Sequence, residues 1–347
     1  MLNVGIVGIG FMGMIHYLAY QKAQGVQVSA ICTRSKKKRA GDWRGIQGNF
    51  GPPGEMMDLA GVATYAKLES LLEDDALDVV DVCLPPAMHA DVCEAALSAG
   101  KHVFCEKPIA VTCDDASRMA SAAGAAGKQL MIGHVLPFFP EFDFAYQATR
   151  SGRYGRLLGG HFKRIISDPS WLKDFYDPAL VGGPLVDLHI HDAHFIRLLC
   201  GMPRAVFSTG RLRGDVVEFV NTQFLFDDGG VSVTASGGVI NQQGRPFTHA
   251  FEMYFEKASL LFDFAVIDGE PVVATPLTVL EADGKVTRPE LGSGDPVDGF
   301  VAEAAEMARA ISSGEASPLL DGELACDALR LCHAQAESVK SGTLVEL

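Results

Sequence analysis

Residues 4–13 read Val4-Gly5-Ile6-Val7-Gly8-Ile9-Gly10-Phe11-Met12-Gly13. The stretch grows out of an apolar run that begins at Leu2, and a helical pattern follows over 12–24. Strand, glycine-rich turn and helix in that order are the sequence form of a dinucleotide-binding βαβ unit. Gly8 permits the tight turn, Gly10 lets backbone approach a pyrophosphate, and Gly13 lets the helix pack on the strand. The N–H groups of Phe11, Met12 and Gly13 at the helix start then serve the phosphates. A plain strand-to-helix turn is the competing reading, because glycine is common.

Further short apolar runs lie at 26–32, 79–84, 102–105 and 129–133. Between them run alanine-rich segments with helical spacing, such as 89–99 and 114–126. This alternation predicts an α/β fold built on a parallel sheet. From residue 134 the pattern changes. Strands are expected at 156–166, 205–212, 216–227, 230–237, 247–256 and 258–266, with turns at Asp227-Asp228-Gly229-Gly230 and Asp268-Gly269. Tight turns between strands predict a largely antiparallel sheet. Helices at 298–313 and 322–340 close the chain. We therefore expect two domains, 1–133 binding a dinucleotide and 134–347 of α/β type. Residues 39–63 interrupt the first domain and are rich in glycine and proline. They read as a long surface loop, or as a flap over the cofactor or a subunit contact.

The chain has 347 residues, 48% of them apolar, and a formal net charge of −14. The acidic balance argues against a nucleic-acid partner. No apolar stretch reaches about 18 residues, so no membrane span is expected. The N-terminus enters a strand at once, without the features of a signal peptide. The eight cysteines form no C-x-x-C pair, which disfavours zinc ribbons and fits a reducing cytoplasm.

Four motifs carry the chemistry. After the second strand the chain reads Thr33-Arg34-Ser35-Lys36-Lys37-Lys38. An NAD-preferring site usually has an acid near the position of Thr33, to accept from the ribose 2′-hydroxyl. None occurs before Asp42. Arg34, Ser35 and Lys38 can instead hold a 2′-phosphate, so NADP is expected, with NAD as the alternative. The lysines also read as a solvated helix start. Next, Cys83-Leu84-Pro85-Pro86-Ala87-Met88-His89 ends a strand where a nicotinamide ribose would pass, which makes Pro85 and His89 cofactor-proximal candidates. Then Cys105-Glu106-Lys107-Pro108 ends another strand, and Pro108 restricts Lys107 to extended geometry. Lastly, Gly182-Gly183 leads to Asp187, His189, His191, Asp192 and His194. Asp187 and His191 are four apart, on one helix face, and can act as hydroxyl orienter and general base. His194 shares that face. The histidine spacing superficially resembles the H-x-H-x-D-H zinc motif of metallo-β-lactamase-like hydrolases. The aspartate stands one place early and no later ligand cluster is evident, so no metal is expected. Arg164, Trp171 and Tyr176 can line a polyol pocket or belong to sheet packing.

Together these residues resemble the glucose–fructose oxidoreductase / inositol dehydrogenase (Gfo/Idh/MocA) family over essentially the whole chain. The resemblance rests on Gly8-x-Gly10-x-x-Gly13, Pro85-Pro86-x-x-His89, Glu106-Lys107-Pro108 and the block from Gly182 to Gly201. It implies a Rossmann domain followed by an α/β domain whose large open, mostly antiparallel sheet binds substrate and makes homodimer or homotetramer contacts. It implies an NAD(P)-dependent dehydrogenase of sugars, sugar derivatives or cyclitols. Glu106 and Lys107 would lie at the cofactor, Lys107 would also meet the substrate hydroxyl, Asp187 would hold the substrate and His191 would take its proton. The Lys-Pro bond is often cis in relatives. Two departures concern the substrate: Pro137 stands where arginine is frequent, and His194 where aspartate is frequent. The resemblance also allows glycoside hydrolysis or elimination through a 3-keto sugar, or a dinucleotide sensor without catalysis. Retention of Lys107, Asp187 and His191 argues against the sensor.

Overall fold

The structure is a computed structural model; it describes residues 1–347 except Ser170, Trp171, Lys173, Asp228, Gly229 and Ser293. Trp171, expected in a substrate pocket, and the centre of the turn expected at 227–230 thus lie outside the described residues. The chain forms two compact units, Met1–Phe139 with Ser293–Cys326, and Pro140–Gly292 with Asp327–Leu347.

The first unit alternates strand and helix: β1 (Leu2–Val7), α1 (Phe11–Lys22), β2 (Val26–Cys32), α2 (Lys36–Arg39), β3 (Ala63–Tyr65), α3 (Leu68–Leu72), β4 (Val79–Val82), α4 (His89–Ser98), β5 (His102–Glu106), α5 (Cys113–Ala126) and β6 (Leu130–Gly133). The strands pair in parallel in the order β3-β2-β1-β4-β5-β6. This is the doubly wound order, and its reversal between β1 and β4 opens a crevice at the carboxyl ends of those strands. The strands are buried on both faces, which is why they read as continuous apolar runs rather than as alternation.

The second unit contains α6 (Pro140–Ser151), β7 (Leu157–Ser167), α7 (Ile190–Cys200), β8 (Ala205–Arg213), β9 (Val216–Leu225), β10 (Ser232–Ile240), β11 (Phe247–Phe255), β12 (Ala258–Ile267), β13 (Glu270–Glu281) and β14 (Val286–Thr287). Later in the chain come α8 (Val297–Ser313), α9 (Gly322–Ser341) and β15 (Val345–Glu346). The sheet runs β14-β13-β12-β11-β7-β10-β9-β8-β15 and is antiparallel except where β10 pairs with β7. Phe142 of α6, Phe195 of α7 and Phe251 of β11 form its aromatic core, with ring centroids 5.1–5.2 Å apart.

Three features differ from the sequence reading. The linear boundary at 133/134 places α8 in the second domain, yet α8 belongs to the first unit. Its Ala304, Met307 and Ala308 join the core around Met14, Tyr17 and Tyr20 of α1. β13 reads poorly because of Pro271 and Pro276. The register with β12 shifts between Leu261↔Thr278 and Asp263↔Thr275, so Pro276 falls at a bulge. Residues 39–63 are not simply a surface loop. Trp43 is wholly buried in the first unit's core, Ile46 lies beside it, and Asp42 bridges to Met56. No helix among the described residues is long and apolar enough to cross a membrane.

If this segment is part of the core, Trp43→Ala should destabilise the first unit by about 3–5 kcal/mol. The readout is the urea midpoint; an unchanged midpoint would mark the segment as a detachable loop.

Candidate active site

The glycine turn sits at the end of β1, beside the crevice. Gly8 has φ +98°, a region that favours glycine, and a Cβ there would lie 2.4 Å from the Cys83 carbonyl oxygen. A Cβ on Gly13 would lie 2.0 Å from the Gly8 carbonyl oxygen, so α1 can approach the turn only without a side chain there. Gly10 is the opposite case, since a Cβ there meets nothing within 4 Å. The first turn of α1 holds no acid and its N-cap, Gly10, makes no side-chain bond to it. Open backbone N–H groups beside open space are what a dinucleotide pyrophosphate needs, and the residues fit that group.

At the outer end of β2, Ser35 caps α2 by accepting from the Lys38 N–H, and the Thr33 hydroxyl accepts from the Ser35 N–H. Lys38 reaches back, and its Nζ donates to the Ile9 carbonyl inside the glycine turn. Arg34 is exposed. The first acid along the chain, Asp42, is engaged by Arg44 at 2.9 and 3.1 Å. The following segment lies on α1: Phe50 meets Phe11 at 4.8 Å between centroids and stacks on Phe300 at 5.5 Å, while Gly48 lies flat against the Phe11 ring. The Phe11 side chain therefore serves this packing, and only its backbone remains for phosphate.

Lys107 is half-buried at the end of β5, and its bond to Pro108 is cis. Glu106 and His89, expected against the cofactor, both make bonds within the first unit. Both nitrogens of the buried His89 ring lie 2.8–2.9 Å from carbonyl oxygens of Leu84 and Pro108, which ties the turn after β4 to the turn after β5. Glu106 is 6% exposed; its Oε1 lies 2.9 Å from His16 Nε2, and its Oε2 accepts the Lys107 N–H at 3.1 Å. Pro85 is exposed at the end of β4.

His16 centres a polar cluster that the sequence reading missed. Its Nδ1 lies 2.9 Å from Asp81 Oδ2, to which the Tyr20 hydroxyl also donates at 3.0 Å. Burial opposes a charged ring, but contacts with Cys83 and Asp81 outweigh it and hold His16 well above the usual histidine pKa. Burial also pushes the Cys83 thiol up. Glu303 of α8 is buried beside them, and desolvation raises its pKa well above the usual value. One signal was available: Asp81 is a lone acid in an otherwise apolar strand, which demands a buried partner.

In the second unit, residues Leu185–His189 form a π-helical turn that runs directly into α7. Asp187 and His191 are both half-buried, whereas Leu188, His189 and Ile190 between them are buried. The other polar residues of the block are committed to the core. His194 is wholly buried. Gln335 donates to His189 Nε2 at 3.0 Å, and a Cβ on Gly237 would come within 2.4 Å of His189 Nδ1. Asp192 takes Arg164 at 2.6 and 3.4 Å. Arg164 is thus a buried ion-pair partner. Tyr176 is half-buried, donates to Asp168 at 3.0 Å and carries Arg213 4.1 Å above its ring.

Two outcomes follow from this geometry. Gly10→Ala should leave the melting temperature almost unchanged while weakening dinucleotide affinity about tenfold or more, whereas Gly13→Ala should lower both. Calorimetry and nucleotide titration separate them. A raised folded-state pKa means that the stability from His16 is fully present below about pH 6.5 and is lost as pH rises through the folded value. The stability gap between wild type and His16→Gln should therefore narrow as pH rises above about 6.5, as followed by urea unfolding. A gap that widens would exclude a charged ring.

Residues 2–134 match the profile of an oxidoreductase family with an NAD-binding Rossmann fold, and residues 142–261 match the Gfo/Idh/MocA C-terminal domain. The D-xylose 1-dehydrogenase (NADP(+)) 2 of Haloferax volcanii is 28% identical over 346 residues, covering 99% of each chain. The levoglucosan dehydrogenase of Pseudarthrobacter phenanthrenivorans is 29% identical over 306 residues, covering 76% of this chain and 74% of its own. A solved levoglucosan dehydrogenase, in complex with NADH and levoglucosan, has the same fold at TM-score 0.79, with 22% identity and 99% coverage of both chains. With both parts matched in sequence order, the chain belongs to the Gfo/Idh/MocA oxidoreductase family.

Proposed function

We propose that this oxidoreductase is an NADP-preferring dehydrogenase. Its reaction moves a hydride between nicotinamide and a secondary hydroxyl, or the corresponding ketone, of a sugar, sugar derivative or cyclitol. The observation that carries this reading is Lys107 at the end of β5, in the same unit as a glycine turn shaped for a dinucleotide. Relatives named for D-xylose and levoglucosan support the substrate class.

The turn from Gly8 to Gly13 and the start of α1 hold the pyrophosphate. Arg34, Ser35 and Lys38, with no unengaged acid between Cys32 and Asp42, favour a 2′-phosphate. A bound nicotinamide supplies the hydride acceptor. Alcohol oxidation also requires removal of the hydroxyl proton, and the imidazole of His191 accepts it. Asp187 holds the hydroxyl, and the Lys107 ammonium stabilises the negative charge that grows on oxygen. In the reverse direction His191 donates the proton to the carbonyl.

The same reading makes the protein a homodimer or homotetramer of the cytoplasm. Exposed Phe207, Leu212, Val272 and Val273 on strands of the second unit support association, and eight free thiols support a reducing compartment.

The test is a screen of sugars and inositols with NAD and NADP in parallel, following reduced nicotinamide. Lys107→Ala and His191→Ala should each lower turnover by about 10²–10⁴-fold with nucleotide affinity nearly intact. Arg34→Ala should lower kcat/KM with NADP about 10-fold or more and leave NAD almost unaffected. Inactivity on every polyol, with co-purified NAD that never turns over, would overturn the dehydrogenase reading in favour of glycoside hydrolysis or elimination.

A further inference from the structure

Glu106 is the residue before Lys107, and its two carboxylate oxygens face two different parts of the first unit. Oε2 takes the Lys107 N–H at 3.1 Å, and Oε1 lies 2.9 Å from His16 Nε2. His16 stands three residues beyond Gly13, on the helix whose first turn serves the phosphates. Its opposite nitrogen lies 2.9 Å from Asp81 on β4. With a carboxylate oxygen before each nitrogen, the ring binds both only by donating from both, since a lone pair aimed at a carboxylate repels it. Tyr20, one turn further along α1, donates to the same Asp81 oxygen at 3.0 Å. The links run from α1 to β4, from α1 to β5, and from β5 into the backbone of Lys107. All of these groups are buried or nearly so, where such bonds are stiff and costly to break.

We propose that His16 is a positioning residue for Lys107. It bridges α1 to Asp81 and Glu106, and through Glu106 it fixes the lysine backbone to the helix that holds the cofactor phosphates. An imidazole suits the task because it is a rigid plate with donors on two edges, and neither asparagine nor glutamine can place two donors so far apart on a fixed ring. Without His16, Glu106 is a buried carboxylate lacking its cation. It must take up a proton, which weakens it as the acceptor of the Lys107 N–H, or turn away and leave that N–H without it. The inference rests on the reading of Lys107 as the charge-stabilising group.

A double-mutant cycle on the full chain distinguishes positioning from bulk stability. Single-turnover hydride transfer, nucleotide affinity and melting temperature are measured for wild type, His16→Asn, Lys107→Ala and the double variant. In the wild-type background His16→Asn should slow hydride transfer about 10–100-fold, with nucleotide affinity within about threefold. In the Lys107→Ala background the same change should cost less than about twofold, because its route of action is already gone. Equal losses in both backgrounds overturn the proposal and leave His16 a structural residue. Should Lys107→Ala itself leave hydride transfer unchanged, the role of Lys107 fails first and the inference falls with it. If His16→Asn does not fold at the assay temperature, Glu106→Ala runs the same cycle by cutting the link at its other end, with the same outcomes expected.

Discussion

The close approach of α1 to the end of β1 is the constraint on which the first unit depends. Gly13 has no room for a single carbon against the Gly8 carbonyl, and Gly8 has none against Cys83. These two contacts bring the helix start to the crevice between β1 and β4. They leave Gly10 facing open space, and they set His16 at the depth where it meets Asp81 and Glu106. Phosphate binding and the support behind Lys107 are thus two results of one packing decision. Interior close packing makes such a decision hard to alter piecemeal.

The buried charges show how the unit tolerates polarity in its core. Asp81, Glu106 and Glu303 surround a single imidazole. Three ionised carboxylates around one cation would be costly in this setting. The raised pKa of Glu303 favours a neutral carboxyl there, and Tyr20 supplies a neutral donor. The second unit settles a similar problem differently, matching Arg164 to Asp192 one to one and seating His249 neutral among Phe142, Phe247, Phe262 and Phe264.

The parallel sheet was legible because its strands are short apolar runs with glycine or proline at their ends. The antiparallel sheet was legible as far as β12 from strands joined by tight turns. β13 was hidden by prolines that a bulge accommodates, and β3 by its three-residue length. The glycine turn, Lys107, Asp187 and His191 were visible as local motifs. Contacts between residues far apart in sequence were not. No local pattern says that Glu106 meets His16, that His89 clasps Pro108, or that Arg164 closes on Asp192. Those outcomes depend on which side chains the fold brings together across separations of 19–90 residues.

Trp43 anchors the loop after β2 through a bond from its Nε1 to the Lys38 carbonyl at 2.9 Å. The anchor grips main chain, and the capping bond from Ser35 likewise ends on a main-chain N–H. Arg34, Lys36 and Lys37 contribute no side chain to either hold, and all three are exposed. The scaffold of the loop is therefore decoupled from the identity of those three residues. If these side chains read the coenzyme as proposed, its choice can be redesigned by exchanging them on a frame that does not have to be rebuilt each time.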